Sequence, residues 1–395
     1  MPAAMSGAEV RGRCAPQFES LRRALADSID AGREVGAAFS VYVGTRSVVD
    51  LWAGHRDAAR TRPWDENTIV NLYSVGKAIT AVCALRLVED GALDLDAPVS
   101  RYWPEFGQAG KERVSVRHLL THQAGLPAVL RELPPGAVLQ WEVMTGALAA
   151  QEPWWNPGEG HGYHVNTYGF LVGEVMRRVT GKKPGAYLRD AIARPAGVDF
   201  CIGFGPEHDP RCADVIPALP GPDAAERRAW LERDPATLAG LPRMRVAAYR
   251  NPADLSGQGI VNTREWRAAE VPSTNGHGSA RAIARFYSAL ATDGDLDGVH
   301  ILAPATIEAA IAEQVSGEDL VLNRSTRFGL GFQLAMPARP LGPNPRAFGH
   351  FGAGGSLGFA DPDAHVAFGY AMNQGREGWQ HKHVRDLVDR VYAAL

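Results

Sequence analysis

Cysteine is scarce: the 395-residue chain has four, Cys14, Cys83, Cys201 and Cys212, and no two form a CxxC pair. Their spacing supports neither a disulfide scaffold nor a cysteine-clamped zinc site, so they read as free thiols. A Cys201–Cys212 bridge would need an oxidising compartment, which nothing in the sequence indicates. Long apolar runs are missing as well. No stretch approaches the roughly 20 residues that span a bilayer. The N-terminal MPAAMSGAEVRGRCAPQFES has no apolar core of signal-peptide length. The expectation is a cytoplasmic protein with no membrane partner. Nor is there an excess of positive charge. Lys and Arg number 41 against 44 Asp and Glu, a formal charge of −3 with no block of like sign. That argues against a nucleic-acid partner, which needs a basic face or stripe. Internal repeats, low-complexity tails, phosphate loops and dinucleotide fingerprints are also lacking, so no cofactor is expected.

What is present is enough chain for one large domain or two intimate ones. Residues 15–33 carry Phe18, Leu21, Leu25 and Ile29 on one helical stripe. GAAFSVYVG (36–44) and SVVDLWAG (47–54), parted by a short glycine turn, predict an antiparallel hairpin. A helix should start near Ser74 and stop by Gly91. Another is expected over 278–293, and a last one over HKHVRDLVDRVYAAL. From 327 onwards, three apolar, glycine-punctuated segments look like successive strands. Strands at both ends and helices between them predict an α+β fold, with one antiparallel sheet flanked by helices. Residues 15–75 and 270–395 would form the sheet domain and 76–269 a mainly helical insertion. A site is expected in the cleft between the two.

Two serines compete for the role of nucleophile. Ser356 in GGSLG fits a glycine-x-serine-x-glycine elbow, but no helix start follows it. Only 39 residues remain after it, too few to carry an acid and a histidine in order. That match is a decoy, better explained by close packing between strands. Ser74 and Lys77 lie three apart at the head of KAITAVCALRLVEDG, a run apolar on nearly every face and therefore buried all round. The helix dipole there favours an alkoxide, and burial should lower the lysine's affinity for a proton. A bare S-x-x-K is ordinarily an N-cap serine and a lysine reaching for solvent. Its neighbours decide otherwise.

Three stretches in order resemble the serine β-lactamase/penicillin-binding-protein superfamily, in the class C-like branch that contains the family VIII carboxylesterases. They are SVGKAITAVCALRLVEDGALDLDAPVSRYWPEF, VRHLLTHQAGLP (116–127) and WNPGEGHGYHVNTYGFLVGEVMRRVTG (155–181). FGHFGAGGSLGFADP is similar to the strand bearing the family's third motif, and VNTREWRAAEVPSTNGHGSARAIARFY to the esterase branch. The resemblance covers about residues 20–395. It implies the β-lactamase/transpeptidase-like fold, Ser74 as acylated nucleophile, Lys77 as proton acceptor and Tyr163 as second acid/base. It also implies an oxyanion hole from the backbone N–H groups of Ser74 and of Ala353 on an edge strand. A tyrosine, with its ordinary pKa near 10, would serve as a base only if a cation such as Lys77 stabilised its phenolate.

Departures from the family set the substrate. Class C lactamases have tyrosine-x-asparagine where this chain has Val165 two after Tyr163, with Asn166 one step late. In place of the lysine-threonine-glycine that grips a carboxylate stand His350, Phe351 and Gly352. The expectation is a pocket with a donor but no fixed charge, an aromatic surface from Phe351, and Trp155 as a further wall. Such a site suits short- to medium-chain carboxylic esters. The rivals are a β-lactamase or D-alanyl-D-alanine peptidase, an acyltransferase or amide hydrolase on the same scaffold, and a non-catalytic binding protein. Trp141 and Trp154 either line the same pocket or belong to the core. His118 and His122 have zinc-helix spacing but lack the accompanying glutamate, so no metal is expected. His277 is read either as capping or core bonding or as a substrate contact near the cleft, and HKH (381–383) as a solvated face. The insertion over about 206–260 should shape specificity, and the sequence leaves the oligomeric state open.

Overall fold

The apolar stretches at the two ends of the chain pair with each other. A computed structural model describes residues 7–220, 224–376 and 381–395. Its main sheet comprises β1 (Val10–Cys14), β2 (Gly36–Val43), β3 (Arg46–Gly54), β4 (Val315–Asp319), β5 (Arg324–Phe328), β6 (Gln333–Leu334), β7 (Phe348–Phe351), β8 (Leu357–Asp361) and β9 (Val366–Met372). The order is β1-β3-β2-β9-β8-β7-β6-β5-β4, and every neighbouring pair is antiparallel. The two edge strands, β1 and β4, were not anticipated. VRGRC and VSGED carry glycine and charge, and their exposed edges leave only a weak apolar alternation.

The helices that matter for the site are α1 (Glu19–Asp30), α2 (Val75–Glu89), α3 (Trp141–Ala150), α4 (Tyr168–Thr180), α5 (Ala280–Leu290) and α6 (Lys382–Tyr392). Leu21 and Leu25 of α1, with Val384 and Val388 of α6, cover one face of the sheet over Phe39, Val41 and Phe368. Ile283, Ala284 and Tyr287 of α5 cover the other face, in one core with α2 and α4. Strands β2 and β9 are therefore buried on both faces and read as continuous apolar runs rather than alternating ones. Gly369 lets α5 lie directly on β9. A Cβ there would sit 2.2 Å from the Ala280 carbonyl oxygen and 2.7 Å from the Ala284 nitrogen.

Val70–Asn71 and Phe200–Cys201 pair on either side of His277–Gly278 in a small three-stranded sheet. That sheet ties the residues just before Ser74 to the segment leading into α5. Helix α2 packs against both α4 and β7, so the residue at its head faces both halves of the molecule. Among the described residues no helix is long and apolar enough to cross a membrane.

Candidate active site

Ser74 occupies the N-cap of α2, with φ −68° and ψ −5°, yet its hydroxyl caps no N–H of that helix. The turn before it is tight: Tyr73 has φ +49°, a left-handed conformation that a bulky residue holds only at a cost. Every residue from Val75 to Leu85 is buried, which leaves Lys77 at 0% exposure. Lys77 Nζ lies 2.9 Å from Ser74 Oγ, 2.6 Å from the Val165 carbonyl oxygen and 3.0 Å from the Ser273 carbonyl oxygen. Desolvation drives its pKa well below the ordinary lysine range. A neutral amine has two N–H donors, and the two carbonyls, which only accept, take both. The amine lone pair is left facing the Ser74 hydroxyl. This is the geometry of a base poised to take the serine proton.

Tyr163 is fully buried, and desolvation holds its phenol well above the ordinary tyrosine value, a hydrogen bond to Ser74 offsetting only part of that. Lys77 Nζ stands 4.8 Å from the centre of the Tyr163 ring. Burial favours an uncharged phenol beside an uncharged amine. Phe328 stacks parallel to the Tyr163 ring at 6.0 Å, and His122 packs tilted against it at 4.9 Å. The Tyr163 N–H donates to both oxygens of Asp319, at 3.1 and 3.0 Å. Tyr168 belongs to α4 and is buried in the core, as a packing residue.

His350 projects from β7 toward Tyr163, with Nε2 3.5 Å from the phenol oxygen. Its Nδ1–H donates to the Phe351 carbonyl oxygen at 2.8 Å, and burial lowers its pKa to about 3. The expected donor is therefore consumed by the backbone, and the imidazole turns a lone pair toward the site. Phe351 requires a second correction. Side chains alternate along a strand, and its ring packs in the core layer beneath α1 and α6, lining a groove with Leu357, Val384 and Val388. It contributes no aromatic wall beside Ser74.

Gly352 and Ala353 follow β7. A Cβ on Gly352 would fall 2.3 Å from the Leu72 carbonyl oxygen, so only glycine lets this strand end approach the turn before Ser74. Ser356 Oγ donates to that same Leu72 oxygen at 3.0 Å and is buried, so the decoy serine pins two chain segments together. Strand β7 is not at the edge of the sheet. Its neighbour β6 spans two residues, however, and pairs only with Phe348 and Gly349, so the end nearest Ala353 is open. Ala353 and Tyr73 line a cleft of about 490 Å³, closed by 215–218, 256–259, 261–263 and Met372. The lining side chains are all uncharged among the described residues.

Val165 supplies its carbonyl to Lys77, while its side chain packs in a small apolar cluster with Trp155, Tyr249 and Met244. Trp155 stands edge-on to His164 at 5.9 Å. Trp141 is in the core and Trp154 donates to the Ala128 carbonyl, so neither lines the cleft. Asn166 is turned to Ala248, Ser256 and Thr274. His118 accepts from the Ser115 N–H in a capping box, and among the described residues no cluster of three or more metal-ligating side chains occurs. His277 bonds the Asn275 carbonyl in the core. The HKH segment is only partly a solvated face: His383 lies 3.0 Å from the buried carboxylate of Glu34, which also accepts from Tyr370. Sequence reasoning missed Ser273 and Asp319, since a backbone carbonyl and a hairpin aspartate leave no motif.

The pattern of the β-lactamase family matches residues 21–393. The chain is 33% identical over 379 residues to the esterase/β-lactamase LipL of Mycobacterium tuberculosis, spanning 93% of this chain and 84% of that protein. Among solved structures, a family VIII carboxylesterase superposes with a TM-score of 0.88 at 37% identity, over 98% of this chain and 100% of that one. A penicillin-binding-protein homologue from Caulobacter crescentus gives the same TM-score, identity and coverage. The match runs through strands β2 to β9, the helix that carries Ser74 and the segment that carries Tyr163 alike, so this chain belongs to the β-lactamase family.

Proposed function

We propose that the protein hydrolyses uncharged carboxylic esters of short to medium acyl chain through an acyl-enzyme on Ser74. One observation carries the reading: a fully buried lysine whose two N–H groups are taken by carbonyls and whose third hydrogen-bond partner is the Ser74 hydroxyl. Lys77 takes the serine proton as Oγ bonds to the ester carbonyl carbon. The N–H groups of Ser74 and Ala353 receive the oxyanion, each contributing about 3 kcal/mol. Collapse breaks the C–O bond of the leaving alcohol while the Tyr163 phenol protonates its oxygen. Lys77 then returns its proton to Tyr163. In deacylation water attacks the acyl carbon, the Lys77–Tyr163 pair takes its proton, and Ser74 Oγ leaves with a proton from that pair.

Two features favour an ester over a lactam. The uncharged cleft lining and the neutral His350 offer no fixed cation for a substrate carboxylate. Val165 stands where a lactamase would present an amide. The test is turnover of p-nitrophenyl butyrate and of a chromogenic cephalosporin by wild type, Ser74→Ala and Ser356→Ala. Ester hydrolysis should vanish in Ser74→Ala, persist within a few-fold in Ser356→Ala, and exceed lactam hydrolysis in wild type. Faster lactam turnover would overturn the substrate, and an inactive but folded Ser356→Ala the nucleophile.

A further inference from the structure

We infer that Asp319 is a positioning residue that holds the Tyr163 phenol in line with Ser74 and the leaving oxygen, an inference that rests on the ester-hydrolase reading above. Tyr163 lies in a stretch, 161–165, that is neither helix nor strand, so no ladder fixes it. The neighbouring Gly162 and His164 N–H groups donate to His122, and the Tyr163 N–H itself is held from the main sheet. Asp319 ends β4, is fully buried, and accepts the Tyr163 N–H on both carboxylate oxygens. Two further contacts bind the same hairpin to the same stretch. The Leu320 N–H donates to the His161 carbonyl at 3.0 Å. Thr326 Oγ1, on β5, donates to Asp319 at 3.2 Å and lies 2.8 Å from His161 Nε2. With its one proton given to the aspartate, the threonine accepts from the imidazole N–H.

Asp319 also closes its own hairpin, accepting from the N–H groups of Val321 and Leu322 at 2.9 and 2.8 Å. Loss of hairpin closure alone would lower turnover of every substrate equally, whereas loss of a role through Tyr163 depends on the leaving group. An alkoxide needs a proton as it departs, and a weakly basic p-nitrophenolate does not. A phenol held askew therefore penalises alkyl esters selectively. Positioning errors of about 1 Å cost on the order of a hundredfold.

The experiment compares kcat/KM for ethyl butyrate and p-nitrophenyl butyrate in wild type, Asp319→Asn, Thr326→Val and Tyr163→Phe, with Ser74→Ala as control. Tyr163→Phe should lose alkyl-ester turnover far more than aryl-ester turnover. Asp319→Asn should reproduce that bias, with a loss at least about tenfold greater on ethyl butyrate. Equal losses on the two esters would overturn the positioning role. If Asp319→Asn does not fold, Thr326→Val decides, since it removes one donor to the carboxylate and should show the same bias at smaller size. Ester turnover surviving in Ser74→Ala would instead overturn the ester-hydrolase reading.

Discussion

Lys77 shows how burial, rather than a partner charge, can prepare a base. Its N–H groups donate to two carbonyls, its lone pair faces the Ser74 hydroxyl, and desolvation is what moves its pKa. In the proposed mechanism the deprotonated amine is the active form, so kcat/KM should rise with pH through the lowered lysine pKa and be lost below it. That acid limb should lie well under the ordinary lysine range in a pH–rate profile. Lys77→Arg keeps the hydrogen-bonding length but cannot shed its proton, so the rate should fall by about 10²–10⁴ while the limb disappears. A retained limb would assign it to another group. Ser74, Lys77 and Tyr163 were legible because the chain places each inside a recognisable stretch. Asp319 was not, because it is distant in sequence and meets Tyr163 only once β4 is in the sheet.

At the scale of elements, two helices are joined by one buried carboxylate. Glu174 on α4 has a side chain 1% exposed and accepts from Trp141 Nε1 on α3 at 2.7 Å, and from Arg177 and Arg178 at 2.7 Å. Burial pulls its pKa up, but these donors outweigh it and the net shift is downward. Its stabilisation is therefore present above the unfolded carboxylate value and lost as pH falls through the lower folded value. Glu174→Ala leaves the Trp141 N–H unpaired. Since both arginines are about a third exposed, the expected cost is discounted to about 2–3 kcal/mol. Thermal unfolding at neutral and acid pH checks this, and the gap between variant and wild type should narrow in acid. Alternation along β7 explains why Phe351 was misplaced from sequence, while Trp155 and the Val165 side chain pack together away from the cleft lining. His350 and Phe351 share a motif, but adjacent strand residues point to opposite faces, and the partner of each face is a matter of tertiary packing.

The whole molecule brings the two ends of the chain into one sheet and leaves a cleft, lined by Tyr73 and Ala353, with no charged side chain in its lining among the described residues. Charge steering has nothing fixed to act on there. For a neutral ester, kcat/KM should change less than about twofold between 0.01 and 1 M ionic strength, a range over which the screening length falls from about 30 to 3 Å. A hemi-ester carrying a free carboxylate should be a poorer substrate at every salt concentration. Strong salt dependence with the neutral ester would show that charged groups outside the lining govern entry. Steady-state rates across a salt series decide it.

From the sequence alone follow the α+β class, the helix buried all round, the serine and lysine at its head, and the lack of a helix start after Ser356. Periodicity and spacing act within a few residues, and all of these features are local. The protonation states of Lys77 and Tyr163, the consumed donor of His350, the turn of Phe351 into the core layer beneath α1 and α6 and the grip of Asp319 on Tyr163 are decided only in the folded chain. Each depends on desolvation or on a hydrogen bond between residues distant in sequence, and neither exists until β4, β7 and α2 are packed together.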